Sequence, residues 1–396
     1  MGNDREIIKR MEPLLKQGIY LDHNATTPLD PAVSEAIQEV MDEDFGNPSS
    51  AYSLGSRAKA LIEEARHDVA SLLGCHTDEV TFTSGGSEAN NAVLKGIIDL
   101  RRADEFHIIT SAVEHPAILN PAFFLMELGV DVTILPVDRF GMIDPDDVRK
   151  AARPGTALIS IMFANNETGT LEPLREIAAI GRELGIPVHT DAAQAVGKLP
   201  LDLPELGVDF LSVAGHKLYA PKGVGALFAK SGRTLTPLIH GAAQEFGKRA
   251  GTENTLLAIG LGMACRVARD RIEQDVLHAG ALRDRLESLL FQGIDRLALN
   301  GHPRDRLPNT LNVSVPGIEG DKILEGIPSI MASTGAACHE RSVKLSHVLS
   351  AMGVSPEVGM GSLRFSVGRS NTMEQIERAA ELIVERVKAM RKKSKQ

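Results

Sequence analysis

Three short segments put chemically capable side chains at the ends of apolar, strand-like runs. The first is Ser84, Gly85, Gly86, Ser87 and Glu88, which close the run EVTFTS and open a helical pattern. Glycines there free backbone N–H groups to face an anion, and a helix N-terminus adds partial positive charge. Ser87 adds a hydroxyl and a capping side chain. Many α/β proteins carry a Gly-Ser turn with no phosphate, so the turn alone decides nothing. The second is Lys217 in the sequence GHK, just after the run over 209–213. That is the carboxyl end of a strand, the usual ligand face of an open α/β sheet. A lysine partly desolvated near other cations becomes a nucleophile; the plain alternative is an exposed loop lysine. The third is Asp191, just past the run over 187–190. A carboxylate there pairs with a protonated pyridine nitrogen, or caps a helix. Together the three describe pyridoxal phosphate at one sheet edge, its phosphate on residues 84–87, its ring nitrogen on Asp191 and its aldehyde on Lys217.

The elements that must hold these groups are legible. Runs rich in β-branched residues lie at 79–84, 107–113, 131–137, 157–163, 187–190, 209–213 and 225–230, with helical stretches such as 55–73, 87–100 and 174–184 between them. Strands separated by helices imply right-handed crossovers and a mainly parallel sheet. Beyond 230 the rhythm changes. A Gly-rich stretch over 240–252 leads into a long helical pattern from 254 to 291, a strand-like piece at 310–315, a loop around Cys338 and a terminal helix over 373–390. The expected division is an N-terminal segment 1–30 packed on the smaller domain, a large α/β domain 31–255 and a small α+β domain 256–396.

Composition narrows the field. The 396 residues hold 43 Lys+Arg against 52 Asp+Glu, a net charge of −9, which argues against a general nucleic-acid binder. Trp is absent and aromatics make up 4%, too few for base-stacking platforms. Three scattered cysteines, Cys75, Cys265 and Cys338, form neither a disulfide framework nor a CxxC zinc pair. No metal site is expected; His339 and His347 lack a matching carboxylate cluster. No run of about 18 apolar residues suggests a membrane span, and the charged N-terminus is unlike a signal peptide. These features fit a cytoplasmic protein. GAAQEFGK over 241–248 has five residues between its glycines where a P-loop has four, and Arg249 stands where the magnesium-binding Ser/Thr would be. Gly260 and Gly262 fall inside a helical pattern, so they are no dinucleotide fingerprint. The basic tail RKKSKQ reads as solvated.

The ordered motifs YLDHNATT (20–27), TSGGSEANN (83–91), EHPAIL (114–119), ANNETG (164–169), HTDAAQAVGK (189–198), GHKLYAPKGVGAL (215–227), QEFGKRAGTEN (244–254), STGAACHE (333–340) and SLRFSVGR (362–369) run through nearly the whole chain. The chain resembles a cysteine desulfurase of the class V aminotransferase superfamily. The resemblance implies a fold-type-I α/β architecture, with a mainly parallel seven-stranded sheet in the large domain and a smaller α+β domain. It implies pyridoxal phosphate as cofactor and a homodimer with shared sites. By the same resemblance Lys217 bonds the cofactor aldehyde, His115 stacks on the ring and relays protons, Asp191 pairs with the ring nitrogen and Gln194 bonds the ring hydroxyl. Gly86, Ser87 and His216 contact the phosphate, and Thr252 reaches the neighbouring subunit's phosphate. Asn166 lies beside the cofactor and the substrate, Asn24 lies near the substrate, Arg364 clamps its carboxylate, and Cys338 accepts sulfur from L-cysteine as a persulfide. The sulfur then goes to an acceptor protein for iron–sulfur cluster assembly or tRNA thiolation.

Two positions depart from the pattern. Ala214 stands where many relatives have a phosphate-binding serine. Cys338 lies in Ala-Ala-Cys-His, similar to the corresponding segment of selenocysteine lyases, so L-selenocysteine is the alternative substrate. An aminotransferase on the same fold would need a keto acid and no Cys338. A scaffold that retained the fold would bind no chromophore. The polar residues around Cys338 (Ser333, Thr334, His339, Glu340, Arg341) suit a reactive thiolate near cations. Cys75 and Cys265 read as structural.

Overall fold

The alternating runs of the first 230 residues form one seven-stranded sheet in the computed structural model. It describes residues 18–41, 43–334, 336–339 and 342–393, with 100, 101, 336–339, 342–344 and 393 described by their backbone alone. Counting from the two-residue β1 (Ile19–Tyr20), the sheet contains β2 (Val80–Thr83), β3 (His107–Ser111), β4 (Asp131–Leu135), β5 (Thr156–Ser160), β6 (Val188–Asp191), β7 (Phe210–Ala214) and β8 (Gly225–Ala229). Their spatial order is β2-β8-β7-β6-β5-β3-β4. The pairs among β3 to β7 are parallel, while β8 runs antiparallel to both its neighbours. Helices cover both faces. One apolar cluster joins Ile62, Val69, Ile159, Ile177 and Val213; another joins Val93, Ile108, Ile118, Leu158 and Phe210. A sheet covered on both faces buries its strands on both sides, and β3, β6 and β7 are buried at every residue; in β6 that includes His189, which bonds Ser160 and Ser212.

The helix Thr255–Gly293 is 39 residues long, so it spans about 58 Å. Its first half packs on the helix Ser53–Leu73. There a Cβ on Gly262 would lie 2.6 Å from the Ala65 Cα, so only glycine permits the crossing. Its second half, through Leu282, Leu286 and Leu290, joins a separate cluster with Leu311, Phe365, Ile376 and Ile383. That cluster backs an antiparallel sheet of β9 (Ala298–Asn300), β10 (Thr310–Ser314), β12 (Ser333–Thr334) and β15 (Ser362–Ser366), in the order β12-β15-β10-β9. The strand β11 (Ile330–Met331) pairs in parallel with β1. Residues 18–30 then cross to the large sheet, where the Thr27 N–H donates to the His216 carbonyl. Residues 1–17 lie outside the described residues.

The sequence reads as a loop around Cys338, but the backbone there is a ribbon. Ala336–His339 (β13) pairs antiparallel with Ser342–Leu345 (β14), Cys338 opposite Val343. An isolated two-stranded ribbon has no obligatory buried face, so its residues need not alternate, and the pattern looks irregular.

Candidate active site

The carboxyl ends of β2, β6 and β7 open on one cavity of about 220 Å³. Gly86, Ser87, His115, Asp191, Gln194 and Lys217 line it together with Asn90, Asn166 and His216. The turn after β2 begins the helix Gly86–Gly96. Its N-cap is Gly85, with no side-chain cap, so Ser87 sits inside the first turn and does not cap it as its type suggested. The turn lies tight against β8, since a Cβ on Gly225 would fall 2.7 Å from the Gly85 Cα. A Cβ on Gly86 would come within 3.2 Å of the Ala214 methyl. The Ala214 departure therefore leaves a small, apolar floor under the anion-facing turn. Glu88 secures the turn from outside, accepting from Ser84 N at 2.8 Å and from Arg249 Nε at 3.0 Å.

Asp191 is buried at the end of β6. Its Oδ1 accepts from Ala193 N at 2.9 Å and its Oδ2 from Asn90 Nδ2 at 2.7 Å. Both bonds orient the carboxylate toward the cavity. Sequence reasoning missed Asn90, although it stands three residues after Ser87 and so on the same helix face. His115 caps the helix Pro116–Glu127, its Nδ1 accepting from Ala117 N at 3.1 Å. Burial lowers its pKa and Lys217 and His347 lower it further, against Asp191. The ring is therefore neutral with its proton on Nε2.

Lys217 ends the short turn Gly215–Lys217 after β7. Its Nζ donates to the carbonyls of Asn24 and Ala25 at 2.5 and 2.7 Å. Burial, and then the Arg364 guanidinium, push its pKa down to about 8, with Asp22 and Asp191 opposing. His216 is pushed down to about 4 by burial and by Lys217, Lys222 and Lys198. Its Nδ1 lies 3.2 Å from Thr26 Oγ1.

Arg364, on β15, reaches in from the small sheet. Its Nη2 meets Asp22 Oδ1 at 2.7 Å and Ser333 Oγ at 2.9 Å, and its Nη1 donates to the Asn166 carbonyl at 3.0 Å. Its Nε is buried without a partner. Asn24 is a hub. Its Oδ1 accepts from Lys198 Nζ and Asn309 Nδ2, each at 3.0 Å, and its Nδ2 donates to Thr310 Oγ1 at 2.8 Å and the Asn166 carbonyl at 3.2 Å. The amide thus has no free position for a substrate. Thr252 is exposed and does not line the cavity. The side chain of Cys338 lies outside the described residues. Burial pushes the Cys75 thiol up to about 12 and the Cys265 thiol higher still, so both are inert. Glu245, in the segment that approaches a P-loop, instead makes a buried bidentate pair with Arg66 at 2.7 and 2.8 Å. Gly260 and Gly262 serve helix packing. Among the described residues no group of three or more His, Cys, Asp or Glu is arranged to hold a metal, and no helix is long and apolar enough to cross a membrane.

These residues fit pyridoxal phosphate. The small-residue cradle of Gly86 and Ala214 would be filled by any side chain, Asp191 is buried and oriented, and Lys217 is a desolvated amine bonded only to carbonyls. An anion cradle, a carboxylate and a lysine converging at a sheet edge define a pyridoxal-phosphate enzyme. The chain belongs to the aminotransferase class-V family, whose pattern matches residues 19–379, and within it to the cysteine desulfurases. Cysteine desulfurase IscS of Dictyoglomus turgidum is 46% identical over 364 residues, covering 91% of this chain and 92% of that one. The protein of the same name from Methanosarcina thermophila is 46% identical over 380 residues, 96% of this chain and 94% of its own. Among solved structures, a NifS-like protein superposes with a TM-score of 0.87 at 35% identity, covering 93% of this chain and 98% of that one. SspA in complex with cysteine gives 0.78 at 35% identity, over 89% of this chain and 99% of that one.

Proposed function

We propose that this protein converts L-cysteine to L-alanine and takes the sulfur onto Cys338 as a persulfide. The observation that supports this most is the anchoring of the cysteine-bearing ribbon. Before it, Ser333 bonds Arg364 and Asp22. After it, Ser346 donates to Glu167, beside Asn166, at 2.5 Å, and His347 Nε2 meets the Glu114 carbonyl, beside His115, at 2.9 Å. Both stems thus hang on residues that flank the cavity wall, and Cys338 is five residues from the nearer one, Ser333, a reach of at most about 18 Å.

Bound pyridoxal phosphate supplies an electron sink for the carbanion left when the substrate Cα loses its proton. Gly86, Ser87 and His216 hold the phosphate, Asp191 the ring nitrogen and Gln194 the ring oxygen. Lys217 carries the cofactor and moves the Cα proton; with its pKa at about 8, roughly a tenth of the free amine is already neutral at pH 7. His115 covers the ring and passes protons through Nε2. Arg364 binds the substrate carboxylate with its unpaired Nε and the Nη2 now shared with Asp22, while Asn166 and Asn24 hold the guanidinium in line. The Cys338 thiolate attacks the substrate sulfur. An S–S bond forms, the Cβ–S bond breaks and its electron pair, after protonation, makes the alanine methyl. No outside oxidant or reductant is needed. The persulfide then passes to an acceptor protein of iron–sulfur assembly or tRNA thiolation. The same reading includes a cytoplasmic homodimer with Thr252 at the neighbouring phosphate. It also includes the division 1–30, 31–255 and 256–396; the apolar clusters support two bodies but put residues 258–268 of the long helix with the larger one.

A paired assay tests it: alanine formation from L-cysteine and from L-selenocysteine, with and without Cys338→Ala. Turnover of cysteine that collapses in the variant is expected. Turnover confined to selenocysteine, or unaffected by the substitution, would overturn the persulfide reading.

A further inference from the structure

Lys198 takes no part in the chemistry above, yet its buried amine bonds two residues of the site. Among the described residues no carboxylate pairs with it. Its Nζ meets two amide oxygens, Gln194 Oε1 at 2.5 Å and Asn24 Oδ1 at 3.0 Å. Burial, Lys217 and Arg364 hold its pKa well below the ordinary lysine value, and even the neutral amine has an N–H for each oxygen, while the Asn24 and Asn166 carbonyls, which only accept, face the nitrogen end of each amide. That settles which way two amides point. Gln194 Oε1 is consumed, and its Nε2 faces the other way, giving one N–H to the Asn24 carbonyl at 3.0 Å and keeping one for the cavity it lines. Asn24 Oδ1 is likewise consumed, which turns its Nδ2 to Thr310 and Asn166.

We infer that Lys198 is a positioning residue: it locks the Gln194 amide so that only an N–H meets the cofactor's ring oxygen, and it locks Asn24 as the fixed tie between the Lys217 turn and the substrate wall. Without Lys198 the Asn24 carbonyl alone would hold Gln194 Nε2, and an amide turned away from it would meet an anionic ring oxygen with its own oxygen. The cations around Lys198 are Lys217 and Arg364, with His216 and His23 also facing it. Asp275, His278 and Arg369 line a small cavity of about 30 Å³ on its other side.

The inference rests on the pyridoxal-phosphate reading, and the test separates the two. The cofactor-loaded protein is titrated with pH while its visible band is followed, in the parent, Lys198→Met and Lys198→Arg. Methionine removes the donor at similar volume, and arginine keeps one. Losing one well-aligned donor to an anionic oxygen raises the pH midpoint of the band by about one unit. Lys198→Met should show that rise, and Lys198→Arg should stay within a few tenths. Combining Lys198→Met with Gln194→Leu should move the midpoint no further than Gln194→Leu alone, because the lysine acts through that amide. A parent with no visible band would refute the cofactor reading itself. A parent with the band, and a Lys198→Met midpoint equal to it, would overturn the inference. If Lys198→Met does not fold, a Lys198→Arg midpoint displaced by a full unit would also overturn it. Thermal unfolding alone cannot mimic support, since a merely structural lysine changes stability and leaves the midpoint in place.

Discussion

The lysine at the centre of the site makes a claim that needs no substrate. In the cofactor-free protein, burial and Arg364 bring Lys217 from the ordinary 10.5 down to about 8. A drop of about 2.5 units means that near pH 7 the neutral, nucleophilic fraction is roughly 300 times that of a free lysine. The sign is fixed: the lowered value makes the amine available earlier as pH rises. The assay follows capture of pyridoxal phosphate by its visible band, in the protein and in a lysine peptide under the same buffers. Dividing the two rates removes the ligand's own ionisations, and binding at the cradle adds only a constant factor. The ratio should be flat below about pH 8, then fall tenfold per unit until about 10.5, where the peptide has caught up. Neighbouring charges give the controls. Arg364→Met removes a cation and should move the break upward, and Asp22→Asn removes an anion and should move it downward. A ratio flat from pH 7 to 10.5 would refute the reasoning, as would breaks that move the opposite way.

Three further outcomes follow from the same contacts. Arg364→Ala should raise the apparent KM for L-cysteine by roughly ten- to a hundred-fold, because charge-assisted bonds to the carboxylate are lost; an unchanged KM would assign the clamp elsewhere. Asn90→Ala leaves Asp191 Oδ2 buried and unpaired, whereas the Asn90 Oδ1 it also removes has no partner. Urea unfolding of the cofactor-free protein should report a loss of about 1.5–3 kcal/mol, and a change under about 0.5 kcal/mol would contradict the bond. Glu172 is buried, bonded only at Oε2 by Ile143 N, and burial raises its pKa to about 8. Its folded form holds the proton more tightly, so its contribution to stability is full below the ordinary value near 4.5 and is lost as pH rises through about 8. Glu172→Gln should flatten that slope, at most about 1.4 kcal/mol per pH unit, between pH 5 and 8; an unaltered slope in thermal or urea unfolding would refute the assignment.

The difference between what the chain announced and what it concealed is physical. Most strands of the buried sheet are rich in apolar or β-branched residues, and the helices between them are amphipathic, so the sheet and its crossovers stand out locally. The same pattern exposes Ser84 to Ser87, Asp191 and Lys217, which are polar groups forced to the ends of apolar runs. Asn90, Lys198, Asp22 and Ser333 carry no such mark. Each is an ordinary polar residue in its own segment and acquires its role from a partner far along the chain, such as Asp191 for Asn90 or Arg364 for both Asp22 and Ser333. The ribbon around Cys338 escaped for another reason: an isolated two-stranded ribbon has no sheet neighbours to impose a period. Glycines divide in the same way. Gly262 and Gly225 look like flexible points or motif fragments in the sequence, but both are close approaches of backbone whose reason is visible only where Ala65 and Gly85 sit against them. The residues that bind and react lie mostly where single elements end, Arg364 in the middle of β15 excepted. Those that aim them lie where two elements meet, and Lys198, tying Gln194 to Asn24, is of that second kind.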